Sequence, residues 1–161
     1  MPTEPRRRLK FADLHEAVRD AETLRERGYR RAGKWDLSQA CGHLAQWIDF
    51  PIDGFPAPPT LLKPVLFVMR HTVGPIAARR VIAKGEMPDN APTMSQTVPA
   101  PGGDESAAVD RLRRAVERFE SYQGPFQPSH LFGHLSRDEW MRVQLIHCAH
   151  HLGFLIPEGE A

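Results

Sequence analysis

The chain has few of the features that mark several large classes of protein. Cys41 and Cys148 are its only two cysteines among 161 residues, which excludes a disulfide-rich scaffold and a Cys-x-x-Cys site. The longest apolar run, residues 65–69, is far shorter than the roughly 20 residues that cross a bilayer. A Gly-rich phosphate loop and a nucleophile elbow are also absent. These absences remove common classes of enzyme and of membrane protein.

The chain also has almost no excess of either charge. It contains 21 Lys and Arg against 20 Asp and Glu, a net charge of +1. Bulk charge therefore gives no reason to expect nucleic acid or a membrane as a partner. The one basic cluster, residues 6–8 with Lys10, largely falls in residues 1–9, which we predict to be a flexible, solvated tail. No apolar signal core follows Met1, so we expect a cytoplasmic protein of one domain over residues 1–161.

Four segments show the apolar spacing of amphipathic helices. Asp36 or Ser38 can cap the second, which we predict to stop before Pro51. Ser136 and Glu139 match a capping box that starts the last, which we predict to stop at Pro157. No strand is predicted. The apolar positions are Phe11, Leu14, Val18, Ala21 and Leu24; Leu37, Ala40, Cys41, Leu44 and Ile48; Val109, Leu112, Val116 and Phe119; and Trp140, Val143 and Phe154.

Two further segments connect these helices. Residues 61–82 are apolar but interrupted by Pro64 and by Gly74-Pro75, which predicts a broken helix, or two short ones, packed on the others. Residues 84–103 are rich in proline and predict a long loop, a kind of segment that is usually functional or disordered. The pattern favours an all-α helical bundle with a long crossover connection.

The last helix carries the most informative residues. His147 and His151 are four residues apart, which places both imidazoles on one face of a helix, as a shared metal ion requires. Because eight histidines produce such pairs by composition alone, as His130 and His134 illustrate, a third ligand is needed. The second helix offers one candidate, His43, which lies one turn before Trp47.

Spacing alone does not choose the third ligand. His15 and His71 also lie on predicted helices, although neither has a paired context. A lone histidine on the flank of an apolar stripe, such as His43, is more often a packed boundary residue than a ligand.

Three motifs together resemble the DinB/YfiT-like metal-binding bundles. Residues 33–39 followed by 42–45 are similar to the first signature of that superfamily, and residues 147–152 to the second. Residues 130–140 resemble a "His-Pro-x-Phe-Gly … Glu-Trp" element of a branch described only as a domain of unknown function.

This resemblance implies a four-helix bundle of up-down-down-up order, to which the broken helix predicted from residues 61–82 is an addition. It implies a divalent metal held by His43, His147 and His151, with His150 as a neighbour that is not a ligand. It also implies thiol-dependent chemistry with a low-molecular-weight thiol, and a homodimer is plausible on the same ground.

Three imidazoles that leave coordination positions open are typical of a catalytic site. Zinc, nickel, iron and manganese all accept imidazole ligands, so the metal is left open. We therefore expect a metal-dependent enzyme that acts on a small molecule by thiol transfer or hydrolysis. Asp49, Glu139 and Asp36 are candidates to orient the imidazoles. The expected pocket-lining residues are Trp47, His130, Trp140 and His150.

Two alternatives remain. The chain could be a metal-stabilised small-molecule-binding or sensor bundle without turnover, which would fit the apolar residues 152–154 that replace a polar string of the family. It could also be a helical bundle whose histidines bind nothing.

Overall fold

The computed structural model describes residues 6–88 and 93–159, and its described part is mostly helical. The all-α class is therefore confirmed, while the up-down-down-up order stays a prediction. The helices are α1 (Leu14–Arg27), α2 (Leu37–Asp53), α3 (Lys63–His71), α4 (Val73–Lys84), α5 (Glu105–Ser121) and α6 (Arg137–Leu152). Two 3-10 turns occupy Thr60–Leu62 and Ser95–Thr97. Within the described residues, no helix is long and apolar enough to cross a membrane.

The start of each long helix is fixed by a polar side chain. Asp13 accepts a hydrogen bond from the backbone N–H of Glu16, and Asp104 caps α5 in the same way. Asp36 and Ser136 each form a full capping box with the residue three positions on, Gln39 and Glu139. The predicted caps at Asp36 and Ser136 are thus confirmed.

The four long helices pack around one apolar core. Both α1 and α2 contact α5 and α6, and the side chains between them are fully buried. This packing places the second turn of α2 against the last turns of α6. The largest fully buried apolar side chains are Leu14, Leu24, Leu37, Leu44, Ile48, Leu112, Phe119, Trp140, Leu152 and Leu155.

The end of α2 differs from the sequence prediction. The helix continues through Pro51 to Asp53 instead of stopping before the proline. A proline lacks the N–H that would bind the carbonyl four residues earlier, here that of Trp47. That carbonyl instead accepts a hydrogen bond of 2.8 Å from Nε2 of Gln144 on α6. The packing of α6 thus compensates the lost bond, which the local sequence does not reveal.

The end of α6 also differs, because the helix stops at Leu152 and not at Pro157. Leu155–Pro157 is a short strand, β2, that pairs antiparallel with β1 (Tyr29–Arg31). The prediction that the chain has no strand is therefore wrong, because β1 and β2 form a small sheet. Three-residue strands are too short to show alternation, and all three residues of β2 are buried.

The apolar segment 61–82 forms two helices, α3 and α4, which is one of the two predicted alternatives. The break lies at Thr72, ahead of Gly74-Pro75, so Pro75 sits in the first turn of α4, where a proline is tolerated. The packing is lighter than expected, since only Gly74 and Ala78 of α4 and no residue of α3 are buried.

The N-terminal segment and the long loop are both attached to the helices where the structure describes them. Arg7, within the predicted tail, binds Asp20 at 2.8 Å and the carbonyl oxygen of Leu155 at 2.7 Å. Residues 1–5 and 89–92 lie outside the described residues. Within the described part of the predicted loop, Ser95–Thr97 forms a 3-10 turn against α2.

Candidate metal centre

The structure brings His43, His147 and His151 together. His43 lies in the second turn of α2, and the other two lie one turn apart at the end of α6. The Nε2 atom of His147 is 3.2 Å from Nε2 of His43 and 3.0 Å from Nε2 of His151. His43 and His147 are buried, and His151 is half-buried. Among the described residues, these three histidines form the one group of His, Cys, Asp or Glu side chains close enough together to hold a metal ion.

The long loop holds the ring of His43 in place. Nδ1 of His43 lies 3.0 Å from the carbonyl oxygen of Thr97 and 3.1 Å from its Oγ1. The carbonyl can only accept, so Nδ1 carries the proton and Nε2 presents its lone pair to the cluster. Oγ1 donates to the carbonyl oxygen of Met94, which leaves it an acceptor for the same Nδ1–H. Thr97 therefore fixes both the orientation and the tautomer of His43.

A glycine allows the loop to come this close. A Cβ atom on Gly42 would lie 2.8 Å from Cγ of Pro99, closer than atoms in real structures approach. The absence of a side chain at position 42 lets Pro99 pack on α2, two residues after Thr97.

Neutral imidazoles cannot satisfy both short contacts of His147. With Nε2 of His43 unprotonated, its contact with His147 needs a proton on His147 Nε2. One proton on His147 Nε2 cannot form full hydrogen bonds to both His43 and His151. A protonated His147 Nε2 also has no lone pair with which to accept a hydrogen bond from His151. One divalent ion satisfies all three lone pairs at once, since tetrahedral ligands at about 2.0–2.1 Å lie about 3.3 Å apart. The donor set and its spacing thus fit a metal ion.

Burial keeps the three histidines neutral. It lowers the pKa of His43 from 6.5 to about 4, against the smaller, opposite effect of the Thr97 carbonyl. Burial also lowers the pKa of His147 and of His151 well below 6.5, and the neighbouring histidines act in the same direction. Neutral imidazole is the form that binds metal, so the cluster is ready to do so near neutral pH.

Trp35 forms one wall of the cluster. Its indole stacks on the ring of His151 at 4.6 Å between centroids and 7° between planes. It also meets the ring of His43 edge-on at 5.0 Å. Trp35 thus contacts two of the three candidate ligands from two directions.

A pocket of about 640 Å³ opens beside the cluster. His151 and Trp35 line it together with Phe154, Ser95 and Lys34. A volume of this size suits a small molecule. The site therefore combines three imidazole nitrogens that point toward one another with a pocket through which a small molecule can reach the His151 side of the cluster.

A family pattern described as "Protein of unknown function (DUF1569)" matches residues 3–158. The chain belongs to the DUF1569 family. No curated protein and no solved structure shows significant similarity to it.

The other residues predicted to line the site of this DUF1569 protein take different places. Trp47 lies beside the cluster, with its ring 5.3 Å from that of His147. His150 touches the ring of His151 edge-on at 4.9 Å and lines the same pocket. Trp140 is fully buried and stacks on Phe55 at 5.8 Å, as a core residue.

His130 lies away from the pocket beside His151. It lines a separate groove of about 340 Å³ with Phe55 and Phe67.

None of the carboxylates proposed to orient the imidazoles has that role. Asp49 pairs with Arg118 at 3.0 Å, and Asp36 and Glu139 are occupied in the capping boxes of their own helices. The carbonyl oxygen of Thr97 orients His43 instead. These three expectations are wrong because closeness in sequence to a motif does not fix which side chains meet in space.

The remaining histidines and cysteines lie outside the centre. His15 is within 2.8 Å of Glu120, and His71 and His134 are exposed, His134 in a loop as expected. Both cysteines are buried free thiols, and burial raises the pKa of Cys148 to about 12. A thiol at such a pKa is not a nucleophile.

Thr97 and Trp35 were missed as functional residues by sequence reasoning. Thr97 contributes a backbone carbonyl, which every residue has, and lies 54 positions from His43. Trp35 stands within the first motif of this DUF1569 chain, directly before the cap Asp36, and this position was the one available signal.

Proposed function

We propose that the chain is a metal-dependent enzyme that acts on a small molecule at the three-histidine centre of a DinB-like, up-down-down-up helical bundle. The supporting observation is the approach of His147 Nε2 to within 3.2 and 3.0 Å of two other ring nitrogens. A three-histidine site leaves coordination positions open, which is the pattern of catalytic rather than structural metal sites.

Four residues of the chain would have distinct roles at the metal. His43, His147 and His151 would hold the ion, and Thr97 would keep the lone pair of His43 aimed at it. Zinc, nickel, iron and manganese each accept such ligands. The bound ion would supply Lewis acidity, which lowers the pKa of a thiol or a water and polarises a carbonyl.

The composition of the pocket favours thiol transfer over hydrolysis. Metal-assisted hydrolysis commonly pairs the bound water with a carboxylate general base, and no carboxylate lines the pocket among the described residues. A thiol bound by a metal loses its proton without such a base. Lys34 is the one permanently charged side chain among the described lining residues, and it could pair with a carboxylate on the thiol. Trp35 and Phe154 offer flat walls for an apolar second substrate.

Thiol consumption by the metal-loaded protein tests this proposal. The protein is incubated with cysteine and an aryl chloride, and free thiol is followed over time. We expect His43→Ala to reduce the rate to the uncatalysed background because a ligand is lost. His134→Ala is the matched control, since His134 is exposed in a loop, and it should keep the wild-type rate. Equal rates for His43→Ala and wild type would contradict catalysis at this site.

A metal-stabilised binding or sensor protein without turnover is the second candidate. The stacking of Trp35 on His151 and the apolar residues that follow it favour this alternative. It predicts a metal-dependent rise in melting temperature that His43→Ala abolishes, with thiol consumption at background for both proteins.

A further inference from the structure

The outward face of α3 and α4 exposes an unusual amount of apolar surface. Among the described residues, nine large apolar side chains stay exposed, and seven of them lie between residues 61 and 76. Leu61 is 92% exposed, Phe67 60% and Ile76 58%. Exposed apolar side chains concentrated in one short segment indicate an interaction site. We call it the α3–α4 face: Leu61, Leu62, Val65, Phe67, Val68, Val73 and Ile76, with the cations Lys63, Arg70, Arg80 and Lys84.

The way in which α4 docks leaves this face outward. Gly74 and Ala78, four residues apart, are its buried residues. A Cβ atom on Gly74 would overlap the carbonyl oxygen of Leu131, so the contact depends on the missing side chain. Val73 and Ile76 lie on the other side and are more than half exposed. A helix that buries its small residues and exposes its large apolar ones is arranged for an external partner.

The charges of this region are strongly segregated. Residues 54–85 contain five Lys and Arg and no Asp or Glu, whereas the remainder of the chain carries a net charge of −4. Arg79 approaches Glu139 of α6 at 3.8 Å. Lys63, Arg80 and Lys84 are exposed, with no carboxylate at ion-pair distance among the described residues. The net charge of +1, which gave no reason to expect a membrane partner, is the sum of a basic segment and an acidic remainder, so it conceals the basic segment.

A groove on the same surface has a matching character. It measures about 340 Å³ and is walled by Phe55, Leu66 and Phe67. Lys63 and Arg70 also line it, and no carboxylate does. An apolar slot with cations at its edge suits an amphiphile with a negatively charged head.

We propose that the α3–α4 face binds the surface of anionic lipid bilayers. Short helices that combine basic residues with exposed Phe, Leu and Ile lie in the bilayer interface, with the apolar side chains at the acyl boundary and the cations among the headgroups. A second copy of the chain fits less well. A two-fold contact would set the basic face of one copy against that of the other, and like charges oppose such a contact.

Vesicle sedimentation of the full chain tests this proposal. Vesicles of equal parts phosphatidylserine and phosphatidylcholine are compared with vesicles of phosphatidylcholine alone. We expect sedimentation with the anionic vesicles, reduced by salt, and little with the neutral ones. Each cation removed lowers the partition about fivefold, so Arg80→Gln with Lys84→Gln should lower it about 25-fold. Phe67→Gln with Ile76→Gln should abolish sedimentation by removing the inserted side chains.

Arg114→Gln is the matched control, because Arg114 is exposed on α5, away from this face, and the variant should sediment like wild type. Far-UV circular dichroism of every variant, measured beside the wild type, shows whether each still folds. Absence of sedimentation of the wild type with anionic vesicles would overturn the proposal. So would a wild-type dimer in light scattering that Phe67→Gln with Ile76→Gln converts to a monomer.

Discussion

At the scale of single residues, the site depends on the orientation of one ring. His43 contributes a ligand only if Nε2 is free of its proton, and the Thr97 carbonyl secures this by accepting from Nδ1 at 3.0 Å. The loop that carries Thr97 is thus part of the centre, although it contributes no ligand. The same arrangement explains the burial of a polar ring on α2, since both of its nitrogens have a defined partner or target.

Acidification should destabilise the metal-free protein, because the pKa of His43 falls from 6.5 in the unfolded chain to about 4 in the folded one. Between these pH values the unfolded state binds a proton that the folded state does not, so stability decreases as the pH falls. At about 1.4 kcal/mol per pH unit, His43 alone accounts for about 3 kcal/mol. Urea unfolding of the chelator-treated protein across this range measures the effect.

The histidine variants supply the controls for this pH dependence. His43→Gln should make it shallower by the share of His43, because the variant side chain does not titrate while His147 and His151 still do. His134→Ala should leave it unchanged. A wild-type stability that stays constant down to about pH 4 would show that His43 titrates normally in the folded protein.

At the scale of elements, α2 and α6 are joined by a bond that a proline makes necessary. Pro51 leaves the Trp47 carbonyl without its helical partner, and Gln144 of α6 donates to it at 2.8 Å. Gln144 and His147 are three residues apart on α6, as Trp47 and His43 are four apart on α2. The bond therefore sets the register in which the two helices present their histidines.

Gln144→Leu should cost about 1 kcal/mol of stability, because it leaves the partly buried Trp47 carbonyl without its donor. The same substitution should cost less in a Pro51→Ala background, where the restored N–H can bind that carbonyl. A double-mutant cycle of the free energies of unfolding in urea measures this coupling. Equal costs in the two backgrounds would mean that Pro51 and Gln144 are independent.

At the scale of the whole molecule, much of the helical framework could be predicted from the sequence. The apolar spacing and the caps Asp36 and Ser136 are local signals, and the structure confirms the helices that they mark. The resemblance chose His43 from three candidate histidines, and the structure places it 3.2 Å from His147. That the three histidines hold a metal stays a prediction.

The features that sequence reasoning missed depend on contacts between distant segments. Gln144 supports the extension of α2 through Pro51, and β1 meets β2 across more than 120 residues. The Thr97 carbonyl has no residue-specific signature. The anchored Arg7 likewise binds the carbonyl oxygens of Leu152, the last residue of α6, and of Leu155 in β2, which composition cannot show.

Metal stoichiometry is the most direct test of the central claim that three histidines form a metal centre. The purified chain is loaded in turn with zinc, nickel, iron or manganese, dialysed and analysed for bound metal. We expect one tightly held divalent ion per chain for wild type and for His134→Ala. We expect the ion to be lost in His43→Ala, His147→Ala and His151→Ala. Wild-type protein that retains no more of any of the four metals than His43→Ala does would show that the three histidines do not form a metal centre.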